Sequence, residues 1–161
     1  MMFRELRRKE KLLSNEEALV ILERNSSGVL ALCGDDGYPY AVPLNYAFVD
    51  GNLYFHCARV GHKIDAIGTN DKVSFAVVDE ETNVPEAFTT IFKSAIAFGR
   101  ARLLSSDPAL KDVKQKALAA LVRKFSPDYQ EQGKTEIIND WDIVEVIEIR
   151  IEHLTAKGTL A

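Results

Sequence analysis

The chain has 161 residues, 47% hydrophobic and 27% charged, which supplies apolar material for one core of ordinary size and predicts a single domain. Its formal net charge of −4 excludes the basic excess that drives counterion release on nucleic acid. The first residues, Met1-Met2-Phe3-Arg4-Glu5-Leu6-Arg7-Arg8-Lys9-Glu10-Lys11, are charged, and no apolar stretch after them is long enough for a signal peptide or a membrane span, so a cytoplasmic location with no membrane partner is expected.

In chain order, Ser14-Asn15-Glu16-Glu17 reads as a capping box, followed by an apolar stripe of Ala18, Ile21 and Leu22, and predicts a helix to about Asn25. Residues 29–33 form an apolar run closed by Gly34-Asp35-Asp36-Gly37, whose Asp-Gly step tolerates the positive φ of a tight reversal. The next predicted strand, 40–49, puts Tyr40, Val42, Leu44, Tyr46 and Phe48 on one face and Ala41, Pro43, Asn45 and Ala47 on the other. Pro43 lacks an N–H and marks an edge, a bulge or a ligand-facing gap. Asp50-Gly51 turns the chain into a strand over 53–57.

Residues 62–67 predict a short helix stopped by Gly68, followed by a strand over 73–78 and an acidic loop over 79–86. In the long strand over 90–104, Phe92, Ile96 and Phe98 share one parity and the small residues Ala95, Ala97 and Ala101 the other. Asp107-Pro108 opens a helix with Leu110, Val113, Ala117, Leu121 and Phe125 on one stripe, and Ser126-Pro127 closes it. A mobile polar loop over 128–139 and a last strand over 143–152 complete the reading. Six strands joined by hairpin turns, with no βαβ alternation, predict a mainly β fold with helices (α+β), an antiparallel barrel. The only two cysteines, Cys33 and Cys57, sit in apolar runs and predict reduced, packed thiols rather than a disulfide or a metal site.

Chemistry concentrates in Ala58-Arg59-Val60-Gly61-His62-Lys63-Ile64-Asp65, where basic residues open a helix. That sign opposes the macrodipole unless an anion lies between, and a phosphate would satisfy the free N–H groups, the dipole and the Lys63 ammonium together. The same residues also suit a solvated basic turn. Neither GxxxxGK[ST] nor GxGxxG is present, which disfavours P-loop and Rossmann nucleotide sites.

The residues Phe3-Arg4-Glu5-Leu6-Arg7-Arg8-Lys9, Gly34-Asp35-Asp36-Gly37-Tyr38-Pro39-Tyr40-Ala41-Val42-Pro43-Leu44, Leu53-Tyr54-Phe55-His56-Cys57-Ala58, Gly61-His62-Lys63-Ile64-Asp65-Ala66, Phe88-Thr89-Thr90 and Ser94-Ala95-Ile96-Ala97-Phe98-Gly99-Arg100-Ala101 resemble the nitroimidazole-resistance (Nim-type) proteins of the pyridoxamine 5'-phosphate oxidase-like superfamily. The resemblance extends through Ile149-Arg150-Ile151-Glu152-His153-Leu154-Thr155-Ala156-Lys157, nearly the whole chain. It implies a six-stranded antiparallel split β-barrel, a homodimer with FMN at the interface, and an FMN-dependent oxidoreductase reducing small electron-poor acceptors such as 5-nitroimidazoles.

Transferred position by position, the resemblance puts Val42, Pro43, Leu44 and Asn45 against the flavin ring. His56, Cys57 and Ala58 border the ribityl chain and phosphate, His62 and Lys63 hold the phosphate, and Ser94 contacts the ring. His56 is the implied catalytic residue, orienting the acceptor or donating a proton. Trp141 is read as a packing anchor rather than a cap on a partner's flavin. Arg100, Arg102 and His153 are read as solvated. The segment Trp141-Asp142-Ile143-Val144-Glu145-Val146-Ile147-Glu148 lacks the arginine and histidine with which true pyridoxamine-phosphate oxidases hold their substrate, which argues against vitamin B6 oxidation. A flavin-binding redox sensor without turnover, and a haem-binding barrel with His56 or His62 as axial ligand, are the two alternatives.

Overall fold

The computed structural model describes residues 3–159. Helix α1 (Asn15–Arg24) starts at the predicted capping box: Ser14 Oγ accepts from the Glu17 N–H at 3.1 Å while Glu17 Oε2 accepts from the Ser14 N–H at 2.9 Å. Strands β1 (Ser27–Cys33) and β2 (Pro39–Asn45) follow, then β3 (Ala47–Val49) and β4 (Asn52–Ala58). Both hairpin turns use the expected left-handed backbone, with Asp36 and Gly37 at φ 54° and 79° and Asp50 and Gly51 at φ 49° and 80°. Helix α2 (His62–Thr69), β5 (Lys72–Val84), β6 (Thr89–Leu103), α3 (Lys111–Phe125), α4 (Gln130–Asn139) and β7 (Val144–Gly158) complete the chain.

One seven-stranded antiparallel sheet results, in the order β2-β1-β5-β6-β7-β4-β3. The expected count of six rises to seven because the single predicted strand over 40–49 divides at Tyr46. Its first half pairs with β1 and its second with β4, so one stretch of chain serves both edges. The terminal strands of the sheet are therefore one residue apart, and the sheet must curl until its edges meet at Tyr46. That corner is fully buried. The Tyr46 hydroxyl donates to the Leu22 carbonyl at 2.6 Å, and Lys124 Nζ donates to the Tyr46 carbonyl at 3.0 Å.

Four further expectations are corrected. The acidic stretch over 79–86 is not a loop: β5 continues to Val84, because Glu80–Val84 find partners in Thr89–Lys93 beyond a bulge after Val78. The polar stretch over 128–139 is not a mobile loop but holds α4, which buries Ile137 in the cluster under α3. Helix α2 passes Gly68 and ends at Thr69, and Cys33 is exposed rather than packed, donated to by Asn70 Nδ2 at 3.3 Å.

Two cores divide the sheet by face. The concave side packs Leu30, Phe55, Phe75, Val77, Ala95, Ala97, Ile147 and Ile149 with the buried stripes of α1 and α2. The small parity of β6 thus faces inward and leaves room for the three rings Tyr46, Phe55 and Phe75, whose centroids lie 4.9–6.4 Å apart. On the convex side, α3 and α4 cover Ala47, Tyr54 and Val146. The convex face of β2, β1 and β5 has no helix over it: Ala41, Pro43, Val29, Ala76 and Val78 are exposed.

Candidate functional site

Pro43 sits on β2, which pairs with β1 alone, so the missing N–H falls on an edge strand as expected. The register of β3 on β4, Ala47↔Tyr54 and Phe48↔Leu53, would set Asn45 against His56 and Pro43 against Ala58 if it continued past Tyr46. No ladder forms there. The free edges of β2 and of the C-terminal half of β4 therefore face each other across a gap that opens from Tyr46, each with backbone N–H and C=O groups lacking a strand partner on that side.

Alternation then assigns the side chains. Val42 and Leu44 turn toward the concave core, while Pro43 and Asn45 are exposed on the convex side. On β4, Cys57 turns toward the core, and His56 and Ala58 are exposed. Burial pushes the Cys57 thiol up to about 11 against the opposing pull of the Lys63 charge, so this cysteine is a neutral packing group beside the Lys63 ammonium.

Helix α2 begins at the far end of the gap. Gly61 stands at φ 132°, a backbone that side-chain-bearing residues rarely adopt, and a Cβ there would meet nothing within 4 Å. No side chain caps the helix. Open space therefore lies over an uncapped helix N-terminus whose first residues are His62 and Lys63, and Asp65 is the only acidic residue of the first turn. His62 is held by stacking on Tyr40 of β2, ring centroids 4.0 Å apart and 18° from parallel, with Asp35 Oδ2 at 3.7 Å from Nε2. This stack ties α2 to the β2 edge and fixes the width of the gap.

The fold thus gathers Val42, Pro43, Leu44, Asn45, His56, Cys57, Ala58, His62 and Lys63 around one opening. Ser94 is not among them. It pairs with Val78 and Lys157, three strands from Asn45 in the sheet order, which is about 14 Å at the usual strand spacing. Trp141 lies under α3, with Lys114 Nζ 4.3 Å from its ring centre, so the expected packing role fits its place.

The residues read as solvated are engaged. Arg102 Nε donates to Glu148 at 2.6 Å, Arg100 bridges Asp71 and Glu152, and the His153 ring stacks on Phe3 at 4.6 Å. Glu148 itself is 2% exposed and was not singled out by the sequence, since its alternation in a strand looked like that of any outward carboxylate. Burial alone would raise its pKa, but the bonds from Arg102 and Tyr54 with the charges of Arg102 and Arg150 hold it below the ordinary value. Among the described residues, no cluster of histidine, cysteine and carboxylate suits a metal ion, and no helix is long and apolar enough to cross a membrane.

Comparison with known proteins places this geometry. A FAD-binding protein from Mesorhizobium loti is 27% identical, covering 93% of this chain and 98% of its own, with a TM-score of 0.67. A candidate 5-nitroimidazole antibiotic resistance protein from Bacteroides thetaiotaomicron is 19% identical over 91% of this chain and 86% of its own, with a TM-score of 0.71. A FAD and haem binding protein from Mycobacterium smegmatis is 18% identical over 94% and 74%, with a TM-score of 0.75. At those last two identities the likeness is one of fold. No curated protein matches the sequence. The pyridoxamine 5'-phosphate oxidase family matches residues 14–158, and the chain belongs to that family.

Proposed function

We propose that the chain is an FMN-binding, homodimeric split barrel that acts as an oxidoreductase on small electron-poor acceptors, 5-nitroimidazoles among them. The observation that carries this reading is the gap between the β2 and β4 edges ending at the uncapped, basic start of α2. Its elements fit the parts of a flavin mononucleotide. The helix N-terminus with His62 and Lys63 suits a phosphate, and the free β2 edge with Pro43 suits the polar rim of a planar ring brought close to backbone.

Bound flavin supplies the electron transfer from donor to acceptor. The chain's own part is placement. Lys63 and the α2 N–H groups anchor the anion, Tyr40 holds the His62 ring in line with them, and the backbone of Val42, Pro43, Leu44 and Asn45 orients the ring. His56, exposed on the convex side two residues from Ala58, is suited to hold or deliver a proton to an acceptor lying on that side. A second copy fits the bare convex face of β2, β1 and β5, a row of small residues that allows close approach, and supplies a route by which Ser94, three strands from Asn45 in its own subunit, reaches a ring. Lys63→Ala is expected to weaken FMN binding by about 1.5–3 kcal/mol with the fold intact, the range for a hydrogen bond to a charged group. Flavin absorbance retained on gel filtration measures it; retention equal to that of the unmodified protein removes the phosphate from this cradle.

A further inference from the structure

We propose that a cavity of about 210 Å³ next to the cradle binds the phosphorylated adenosine of a dinucleotide. Arg59, Lys111 and Lys114 line it, with Trp141, Pro108 and Leu104 as its apolar walls. Among the described residues none of these three cations has a carboxylate within 4.0 Å, whereas Arg24, Arg100, Arg102 and Arg150 each do. Three cations against the single Asp107 carboxylate leave this hollow net positive in a chain of net charge −4, which favours an entering anion.

Lys114 makes the floor. Although its residue is 2% exposed, its ammonium donates to the carbonyls of Trp141 and Val144 at 2.8 Å each, which leaves one of its three donors for a ligand. Burial, then the Arg59 charge, press its pKa below the ordinary lysine value, with Glu145 and Asp142 pulling the other way. Lys111 and Lys114 lie in the opening turn of the 15-residue α3, which continues the turn Pro108–Leu110 that Asp107 caps through the Ala109 N–H. Asp112, the acidic residue of the opening turn of α3, does not line the cavity; Asp107 does, and its carboxylate, which accepts from the Ala109 N–H at 2.9 Å, keeps its charge, so the lining holds three cations against one anion.

The half-buried indole of Trp141 beside these cations suits a planar base attached to phosphate rather than phosphate alone. Sites for complete small molecules run to about 300–1,000 Å³, so this one suits part of a larger ligand. Arg59 supplies the connection: it precedes Gly61 by two residues, and its guanidinium donates to the Trp141 carbonyl at 3.3 Å, so cavity and cradle share one loop. The adenosine phosphate then belongs either to FAD, reaching out of the cradle, or to a nicotinamide dinucleotide that supplies electrons. This assignment of source rests on the flavin reading; the adenosine phosphate site does not.

Trp141 is the single tryptophan, so its fluorescence reports on the cavity directly. Titration of the purified protein with ADP should give a saturable change. Lys111→Ala and Arg59→Ala should each weaken it at least tenfold, and Lys116→Ala, exposed on the same helix but outside the lining, should not. No saturable response at millimolar ADP, or equal affinity in all variants, overturns the proposal. A protein that holds FMN but ignores ADP refutes this site and spares the cradle; one that binds ADP but no flavin does the reverse. Loss of an FAD-over-FMN preference in Lys111→Ala assigns the adenosine to FAD, whereas a raised KM for NADPH with unchanged flavin affinity assigns it to the donor.

Discussion

Replacing Glu148 with Gln should destabilise the protein by about 2 kcal/mol at pH 7, and by less and less as the pH falls below 4.5. Glu148 stands on β7 opposite Tyr54 of β4 and Arg102 of β6, and pins together the strand that carries His56 and its neighbours. Its carboxylate is 2% exposed and accepts from Arg102 Nε at 2.6 Å, Tyr54 Oη at 2.9 Å and Arg150 Nε at 3.2 Å. Bonds to a charged group contribute about 1.5–3 kcal/mol each, but the Arg102 and Arg150 side chains are 32% and 63% exposed and solvent screens them. Glutamine keeps the shape and one accepting oxygen, so the loss falls near the value of a single such bond.

The pH dependence follows from the direction of the Glu148 shift. Its folded pKa lies below the ordinary 4.5, so its contribution is fully present above that value and is lost as pH falls through the folded pKa, where the wild-type group takes up a proton and resembles the variant. Urea unfolding of both proteins, from pH 7 down to the lowest pH at which the wild type stays folded, measures the difference. A gap that is constant with pH, or that widens on acidification, would refute the assignment of a charged, hydrogen-bonded Glu148.

His56→Ala should keep its bound flavin yet slow the half-reaction with acceptor by a factor of about 10² or more, with reduction by the donor less affected; stopped-flow measurement of the two halves separates these, and equal acceptor rates return His56 to a surface residue. Ala31→Glu, which puts a charge in the middle of the bare convex face opposite Ala41 and Ser74, should convert a dimer to monomers by light scattering without loss of secondary structure. A wild-type protein that is already monomeric with flavin bound would defeat the dimer.

Local chemistry made much of this chain legible from its residues. The Ser14 capping box and the two Asp-Gly turns depend on neighbours in sequence, so turn type was enough to place them, and period was enough to set the alanines of β6 on one face, though only the fold makes that face the inner one. The wrong-signed charges at the start of α2 were legible as well, a conflict visible wherever a cation meets a helix N-terminus. What depended on distant partners was decided only by the tertiary structure. The run over 40–49 is continuous in pattern, and nothing local shows that its two halves pair with different strands; that division at Tyr46 opens the gap on which the site is built. The acidic residues of β5 took strand geometry because β6 offered them a ladder, and the polar α4 became a helix because Ile137 found a cluster to enter. Arg102 reads as a solvated charge in sequence, and Glu148 and Lys114 draw no notice there, because a charge that is paired or hydrogen-bonded across the fold carries no mark of its partner in the residues beside it.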